Sequence, residues 1–268
     1  MTVLQSFPPE ICSLICQDPI LGRFDLNSIC FISHAFRNEA QRELSNHFPC
    51  FRGDDSVKAW YRALERKPHL ATKIKGLVLY LPCPSTFGVI SFLHLTFTLY
   101  RCKNLKELAV FFEEQPEHSW MPISFFYPFK LTKFVNGYFP QDNLQFTSFL
   151  KSQPNLELLE LHSGKTDASK NRLSFQCLKT LGCSPQFLNT SYSVTRLRLD
   201  FKNSMDDCEI DELKRALDGN LTKNMKSLAI FLNQRESHFA EIIRVIAASH
   251  ICIQHLEIHQ FLPTQVGP

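Results

Sequence analysis

The first fifty residues of the chain place their apolar side chains at helical spacing. Ile11, Leu14 and Ile15 stand at positions i, i+3 and i+4, which lie on one face of an α-helix. Pro8 and Pro9 come just before them, and proline suits a first helical turn because its missing N–H would be unpaired there. The pattern predicts an amphipathic helix that begins at the two prolines.

Two further helical stretches follow in the same region, and Asp25 is a plausible N-cap for the first of them. Their apolar stripes comprise Leu26, Ile29, Cys30 and Ser33, then Phe36, Ala40 and Leu44. Residues 1–50 are therefore predicted to form a three-helix module. A module of about 45 residues is marginal as an isolated fold, so we expect an interface to cover the surplus apolar side chains. An ordinary helical cap on the following domain is the alternative.

The rest of the chain repeats the pattern L-x-x-L-x-L, in which any aliphatic residue can fill an L position. The central residues of its eight copies are Leu77, Leu108, Phe134, Leu159, Leu181, Leu197, Leu228 and Leu256, at intervals of 16 to 31 residues. Asn136 and Cys183 depart from the pattern at the last position of two copies. Alternate buried residues are typical of a strand with one buried face, so each copy predicts one short strand.

Longer segments between these strands have helical spacing, at 85–100, 142–151, 206–217 and 237–248. A strand and a helix repeated every 20–29 residues or so indicate a leucine-rich-repeat-like solenoid. The predicted fold class is α/β, with one parallel sheet and helices on its convex side. The predicted domains are a helical module at 1–50, a linking helix at 51–73 capped by Asp54 or Asp55, and a solenoid at 74–268.

The first region resembles an F-box, on the residues Ser6-Phe7-Pro8-Pro9-Glu10-Ile11 and Leu26-x-x-Ile29-Cys30-x-x-Ser33-x-x-Phe36-Arg37-x-x-Ala40. Downstream, residues 57–79 look like the inter-domain helix and first strand of fungal F-box/leucine-rich-repeat proteins. The resemblance implies a non-catalytic, substrate-recognition subunit of an SCF-type ubiquitin ligase. Its F-box would dock on a Skp-type adaptor, and through it on a cullin–RING ligase. The implied docking residues are Phe7, Pro8, Ile11, Ile15, Leu26, Ile29, Cys30, Ile32 and Phe36.

In an L-x-x-L-x-L strand the residues between the leucines face away from the core, on the side expected to be concave. The candidates for binding a protein substrate are Tyr80, Phe111, Glu160, His162, Arg196, Arg198, Asp200, Phe231, His255, Glu257 and His259. Aromatic and arginine side chains are typical of protein interfaces. Alternatively, a loop at 112–128 covers the apolar part of this face, at Val78, Ala109 and Val135.

Composition argues against several other classes of protein. The net charge of +3 is too small to indicate nucleic-acid binding, and the ten cysteines contain no C-x-x-C pair that would favour a disulfide framework or a zinc site. Buried reduced thiols fit a reducing compartment, and the first 17 residues lack the basic start of a signal peptide. Prolines interrupt the uncharged stretch 76–100, so no membrane span is predicted. We expect a soluble cytoplasmic or nuclear protein.

One motif has the residue types of a metal site. His255-x-Glu257-x-His259 places two imidazoles and a carboxylate on one face of a strand, which would suit a metal-dependent hydrolase. No phosphate-binding glycine loop and no Gly-x-Ser-x-Gly elbow accompany it. The sequence therefore predicts a protein that is not an enzyme and needs no cofactor or metal. A non-degradative interaction scaffold and the hydrolase remain as alternatives.

Overall fold

A nine-stranded, wholly parallel sheet dominates the computed structural model. The structure describes residues 7–18, 21, 23–29, 32–46, 49–82, 88–112, 127–137, 144–161, 175–184, 188, 193–201, 207–217, 224–233, 239–249 and 252–261. The strands are β1 (Cys50–Arg52), β2 (Gly76–Leu81), β3 (Glu107–Phe112), β4 (Lys133–Asn136), β5 (Leu158–Leu161), β6 (Thr180–Cys183), β7 (Arg196–Phe201), β8 (Ser227–Asn233) and β9 (His255–Phe261). They lie side by side in chain order. Because the strands are parallel, every connection must return the chain to the end of the sheet where the strands begin.

The eight copies of the apolar pattern correspond to the eight strands from β2 to β9. The central residues pair across the sheet in one row, from Leu77 opposite Leu108 to Leu228 opposite Leu256. Most of this row is fully buried, whereas Leu256 on β9, the last strand in the sheet order of the described residues, is 45% exposed. Asn136 and Cys183 also face the core and are inaccessible to solvent. The predicted parallel α/β sheet is thus confirmed.

The helices of the sheet domain cover the leucine face of the strands. They are α4 (Gly53–Arg66), α5 (Val89–Arg101), α6 (Leu144–Lys151), α7 (Asp207–Leu217) and α8 (Phe239–Ala248), with a 3-10 helix at Pro68–Lys73. Leu95, Phe146, Leu213 and Ile242 are examples of helix residues that share one core with the strands. The opposite side of the sheet has no described helix, and we call it the open face.

The sequence analysis missed β1, a strand of three residues that lies outside the repeated pattern. Gly53 follows it with φ of +72°, a conformation that favours glycine and here turns the chain directly from β1 into α4. The rings of Phe51 and Trp60 stack with centroids 4.4 Å apart, and Val57, Trp60 and Leu64 belong to the core of the sheet. The segment predicted as a link is therefore the first helical layer of the sheet domain.

Three helices precede the sheet: α1 (Pro9–Cys16), α2 (Arg23–Ile29) and α3 (His34–Asn46). Pro9 stands in the first turn of α1, as its missing N–H favours. The helices enclose a small core of their own, made of Cys12, Cys16, Leu26, Phe36 and Ala40. None of these residues belongs to the core of the sheet. We refer to α1–α3 as the helical module.

In the part of the chain that the structure describes, no helix combines the length and apolar character needed to cross a bilayer.

Candidate protein-binding surfaces

Helix α1 turns its larger apolar side chains outward. Cys12 and Cys16, one turn apart, are 0% and 2% exposed and hold the helix against the core of the module. Ile11, Leu14 and Ile15 lie on the remaining faces and are 41%, 66% and 39% exposed. Buried cysteines are ordinary, whereas three large aliphatic side chains exposed together on one helix of eight residues form an apolar patch. That patch marks this surface as a candidate interface.

Further apolar residues of the module are exposed. Phe7 is 58% exposed, and its ring packs edge-on against Phe36 with centroids 5.9 Å apart. Pro8 is exposed, Ile32 is 66% exposed, and Ile29 is partly buried. We call the exposed set the module patch; it consists of Phe7, Pro8, Ile11, Leu14, Ile15 and Ile32.

Two of the residues that the sequence assigned to docking lie inside the module instead. Leu26 is 0% exposed and Phe36 is 6% exposed, because both fill the small core beside Cys12 and Cys16. Their placement on the docking surface is wrong. Cys30 lies outside the described residues. Leu14 was not among the assigned docking residues, although it shares the helical spacing of Ile11 and Ile15 and is among the most exposed of the patch.

On the open face, strand register arranges most of the predicted substrate-binding residues in two rows, while Arg196 and His255 belong to a third row through Ser227. One row carries Arg52, Tyr80 and Phe111 on β1–β3, and Asp200, Phe231 and His259 on β7–β9. The neighbouring row carries Val78, Ala109, Val135, Glu160, Gly182, Arg198, Ala229 and Glu257. The register thus brings most of the predicted residues to one surface. His162 and the possible covering loop at 113–126 lie outside the described residues.

The first three strands form an aromatic end of the open face. Tyr80 and Phe111 stack with ring centroids 5.1 Å apart, and the guanidinium of Arg52 lies 5.1 Å from the centroid of the Tyr80 ring. Gly137 supports this arrangement, because a Cβ added there would lie 3.0 Å from Cδ1 of Phe111. Tyr80 and Phe111 are half-buried and keep part of each ring accessible. Such a stack offers a flat apolar contact surface with a cation at its edge.

The last three strands form a charged end, centred on Arg198. Its Nε donates a hydrogen bond to Oδ1 of Asp200 over 3.2 Å, and its guanidinium lies 4.0 Å from the centroid of the Phe231 ring. Asp200 is only 6% exposed. Its prediction as a direct substrate contact is therefore wrong, since its carboxylate is turned to Arg198 and is out of reach for a large ligand. Its contact with Arg198 positions that arginine.

His255, Glu257 and His259 are exposed side by side on β9. The Nε2 atoms of His255 and His259 lie 2.6 Å and 3.1 Å from the two carboxylate oxygens of Glu257. Hydrogen bonds from His259 and then His255 hold the pKa of Glu257 below its usual range. The His259 ring also stacks on Phe231, with centroids 4.6 Å apart. The three side chains form a hydrogen-bonded set whose carboxylate is occupied by its neighbours.

Within the described residues, no three His, Cys, Asp or Glu side chains are grouped so that they could hold a metal ion. The carboxylate of Glu257 lies between the two imidazoles and contacts both, whereas metal ligands would converge on a common point. The geometry therefore gives the hydrolase alternative no support.

Arg196 adds a cation to this end of the open face. Together with Lys226, His255 and Glu257 it lines an open groove of about 680 Å³ at the start of strands β7–β9. Arg196 is exposed and forms no ion pair with another described residue. In the middle of the sheet, Glu160 lies over Gly182, where an added Cβ would come within 3.0 Å of its Cγ. The open face thus changes from aromatic to charged across the strands.

Comparison with protein-family models, with curated proteins and with solved structures finds no significant match for this chain.

Proposed function

We propose that the chain is the substrate-recognition subunit of an SCF-type ubiquitin ligase. In this proposal the helical module is an F-box that docks on a Skp-type adaptor, and the sheet domain holds the target protein. The observation that carries the proposal is the outward position of Ile11, Leu14 and Ile15, in a small module whose sequence resembles an F-box. Exposed aliphatic side chains on so small a module favour a permanent partner.

The open face supports the second half of the proposal. Its aromatic end offers accessible ring surface at Tyr80 and Phe111, and its charged end offers Arg196, Arg198 and the His255–Glu257–His259 set. Tyrosine and arginine are the residue types that most often dominate binding energy at protein interfaces. Apolar contacts at one end and polar contacts at the other suit a target that crosses several strands.

The mechanism would be proximity. The chain would hold its target on the open face while the adaptor and cullin bring the ubiquitin-transferring subunits to the same assembly. Converting a bimolecular encounter into an intramolecular one can supply several kcal/mol of the barrier. No described side chain of this protein is required to take part in bond formation.

The test is co-purification of the full-length protein with a Skp-type adaptor and a cullin. A double variant with Ile11→Asp and Leu14→Asp introduces two charges at exposed positions, so the module should still fold. In a complex those carboxylates would be buried against apolar surface, and we expect adaptor binding to fall at least about 100-fold. Far-UV circular dichroism verifies that the helices remain.

The matched control is Leu93→Asp, the same type of change at an exposed position of α5. We expect it to leave adaptor binding unchanged. Full adaptor binding by the Ile11→Asp, Leu14→Asp protein would refute the docking proposal. A truncation should remove residues 1–48 and retain Cys50–Arg52, since β1 pairs with β2 and its loss would damage the sheet.

The scaffold alternative differs in the lifetime of a bound target. If the protein delivers targets for degradation, the half-life of each captured protein lengthens when Ile11→Asp and Leu14→Asp replace the native residues. If the same proteins remain bound and their half-lives do not change, the chain is a scaffold.

A further inference from the structure

Four lysines gather at the edge of the sheet where strands β2 and β3 begin. We call Lys73, Lys75, Lys103 and Lys106 the lysine edge. All four are exposed. None of their ammonium groups forms a hydrogen bond or an ion pair with any residue that the structure describes. A cluster of four unpaired like charges is unusual in a chain whose net charge is only +3.

Backbone geometry forces part of this cluster together. The carbonyl oxygen of Lys75 accepts hydrogen bonds from the amides of Lys106, over 2.7 Å, and Glu107, over 3.0 Å. The two lysines, each directly before its strand, are therefore neighbours where β2 and β3 begin, about 4.8 Å apart in backbone position. Glu107 does not neutralise them, because its carboxylate pairs with Lys133 over 2.9 Å. Adjacent like charges repel one another, so an anionic partner would relieve this repulsion.

Helix α5 leads to the same edge and carries an exposed apolar stripe. Ile90, Leu93, Phe97 and Tyr100 follow at intervals of three, four and three residues and are 65%, 46%, 56% and 54% exposed. The opposite side of the helix is buried in the core through Leu95 and Leu99. Helix α5 ends at Arg101, two residues before Lys103. The apolar stripe thus runs toward the lysine edge.

The charges around the stripe indicate what could cover it. Helix α5 contains no acidic residue and no lysine, and its single formal charge is Arg101 in the last turn. A helix that binds an anionic bilayer usually has basic residues along its polar flanks, whereas here the lysines are gathered beyond one end. A site for single-stranded nucleic acid interleaves rings with basic residues along one groove, whereas here Phe97 and Tyr100 stand with the aliphatic residues of α5 and the lysines lie beyond the end of the helix. The combination matches a protein segment with apolar side chains and a cluster of carboxylates at one end.

We propose that α5 and the lysine edge together dock an acidic amphipathic helix of a partner protein. The apolar side of that helix lies on Ile90, Leu93, Phe97 and Tyr100, and its carboxylates lie at the lysine edge. Spacings of three and four residues on α5 suit the side-chain spacing of a second helix packed along it. Charge complementarity fixes the direction of the docked helix and speeds its association. The proposal uses no residue of the module patch and does not depend on the ligase function.

The probe is a synthetic, fluorescein-labelled helical peptide of about 18 residues, with leucines at i, i+3, i+4 and i+7 spacing and four glutamates in its terminal turn. Binding to the full-length protein is followed by fluorescence anisotropy at low salt. We expect this peptide to bind at least about tenfold more tightly than a peptide with lysine in place of glutamate, or serine in place of leucine. Raising the salt concentration should weaken the binding.

Variants of the protein locate the site. Lys75→Glu with Lys106→Glu should weaken peptide binding at least about tenfold, and so should Leu93→Ser with Phe97→Ser through loss of apolar contact. The matched control is Lys226→Glu, since the carbonyl of Lys226 accepts two amides at the start of β9 as that of Lys75 does at β3. It should leave the dissociation constant within about twofold. The changed side chains are exposed, and an unchanged melting temperature verifies the fold.

Four results would overturn the proposal. The first is absence of peptide binding, and the second is equal binding by the Lys75→Glu, Lys106→Glu protein. The third is tighter binding to vesicles containing phosphatidylserine, or to single-stranded DNA, than to the peptide. The fourth is a dimer in sedimentation analysis that Leu93→Ser with Phe97→Ser converts to a monomer, since a second copy of the chain would then be the occupant of α5.

Discussion

The guanidinium of Arg198 on β7 lies over the ring of Phe231 on β8, 4.0 Å from its centroid. The same guanidinium is hydrogen-bonded through Nε to Asp200. The Phe231 ring also stacks with the imidazole of His259 on β9. Three strands are thus linked through one cation on the open face. A cation held in this way loses little conformational freedom when a target binds, which favours affinity.

We expect Arg198→Ala to lower the free energy of unfolding by about 1–3 kcal/mol. The change removes the contact with the ring and leaves the 5% exposed carboxylate of Asp200 without its cation. Partial exposure of Arg198 keeps the loss below that of a fully buried pair. Urea denaturation measures the change in the free energy of unfolding. A double-mutant cycle with Phe231→Leu should show coupling of about 0.5–1 kcal/mol.

Arg196→Ala is the matched control, since Arg196 lies two residues earlier on the same strand, is exposed and has no described ion-pair partner. We expect it to change stability by less than about 0.5 kcal/mol. If the two variants lost the same free energy of unfolding, the contacts of Arg198 would contribute nothing measurable to stability.

Sequence predicted the sheet well because every strand from β2 to β9 repeats the same core-facing positions. It missed β1, since three residues are too few to show a period. It also misplaced Leu26 and Phe36, for a different reason. A helical stripe shows which residues share a face, but a small module with apolar residues on several faces does not show which of them faces inward. Cys12 and Cys16, small enough for close helix packing, occupy the inside, and Ile11 and Leu14 are left outside.

Asn136 shows the same limit at a single position. Its departure from the aliphatic pattern suggested an irregular repeat, yet it occupies the regular core position of β4, between Val110 on β3 and Leu161 on β5. It is 0% exposed, and its Nδ2 and Oδ1 have no hydrogen-bond partner among the described residues. The pattern determines the direction of the side chain regardless of whether the residue is polar.

We expect Asn136→Val to stabilise the protein by about 1–2 kcal/mol, because it removes a buried unsatisfied amide and adds apolar contact. Asn104→Val is the control, and it should change the stability in the opposite direction. Asn104 is exposed and donates a hydrogen bond of 2.7 Å to the carbonyl of Thr72, so its loss should destabilise by up to about 1 kcal/mol. Thermal and urea denaturation of both variants check the signs. Destabilisation by Asn136→Val would show that the amide has a partner in the folded protein.

The cysteines should separate into two classes of reactivity. Burial raises the pKa of the Cys102 thiol to about 12, and it raises the pKa of the Cys183 thiol further, with a contribution from Asp200. Only the thiolate reacts with a maleimide. In native protein at neutral pH we expect Cys50, Cys177 and Cys252, which are exposed, to be labelled first.

Peptide mapping by mass spectrometry after brief labelling checks this order, with urea-unfolded protein as the control in which all ten cysteines react. Rapid labelling of Cys102 or Cys183 without denaturant would contradict the packing of the core. If Cys177 and Cys252 reacted as slowly as Cys102 and Cys183, another part of the protein would have to cover the start of strands β6 and β9.

The pKa of Glu257 should lie below its usual value because His259 and His255 hydrogen-bond to its carboxylate. A depressed carboxylate pKa stabilises the fold at pH values above the unfolded pKa, and the contribution disappears as the pH falls through the folded pKa. NMR titration of the side-chain carboxyl carbon measures the midpoint. We expect His259→Ala to move it upward, and His259→Ala with His255→Ala to move it further. His69→Ala, an exposed histidine before β2, should leave it in place. An unshifted midpoint in the double variant would mean that the two imidazoles do not bind the carboxylate in solution.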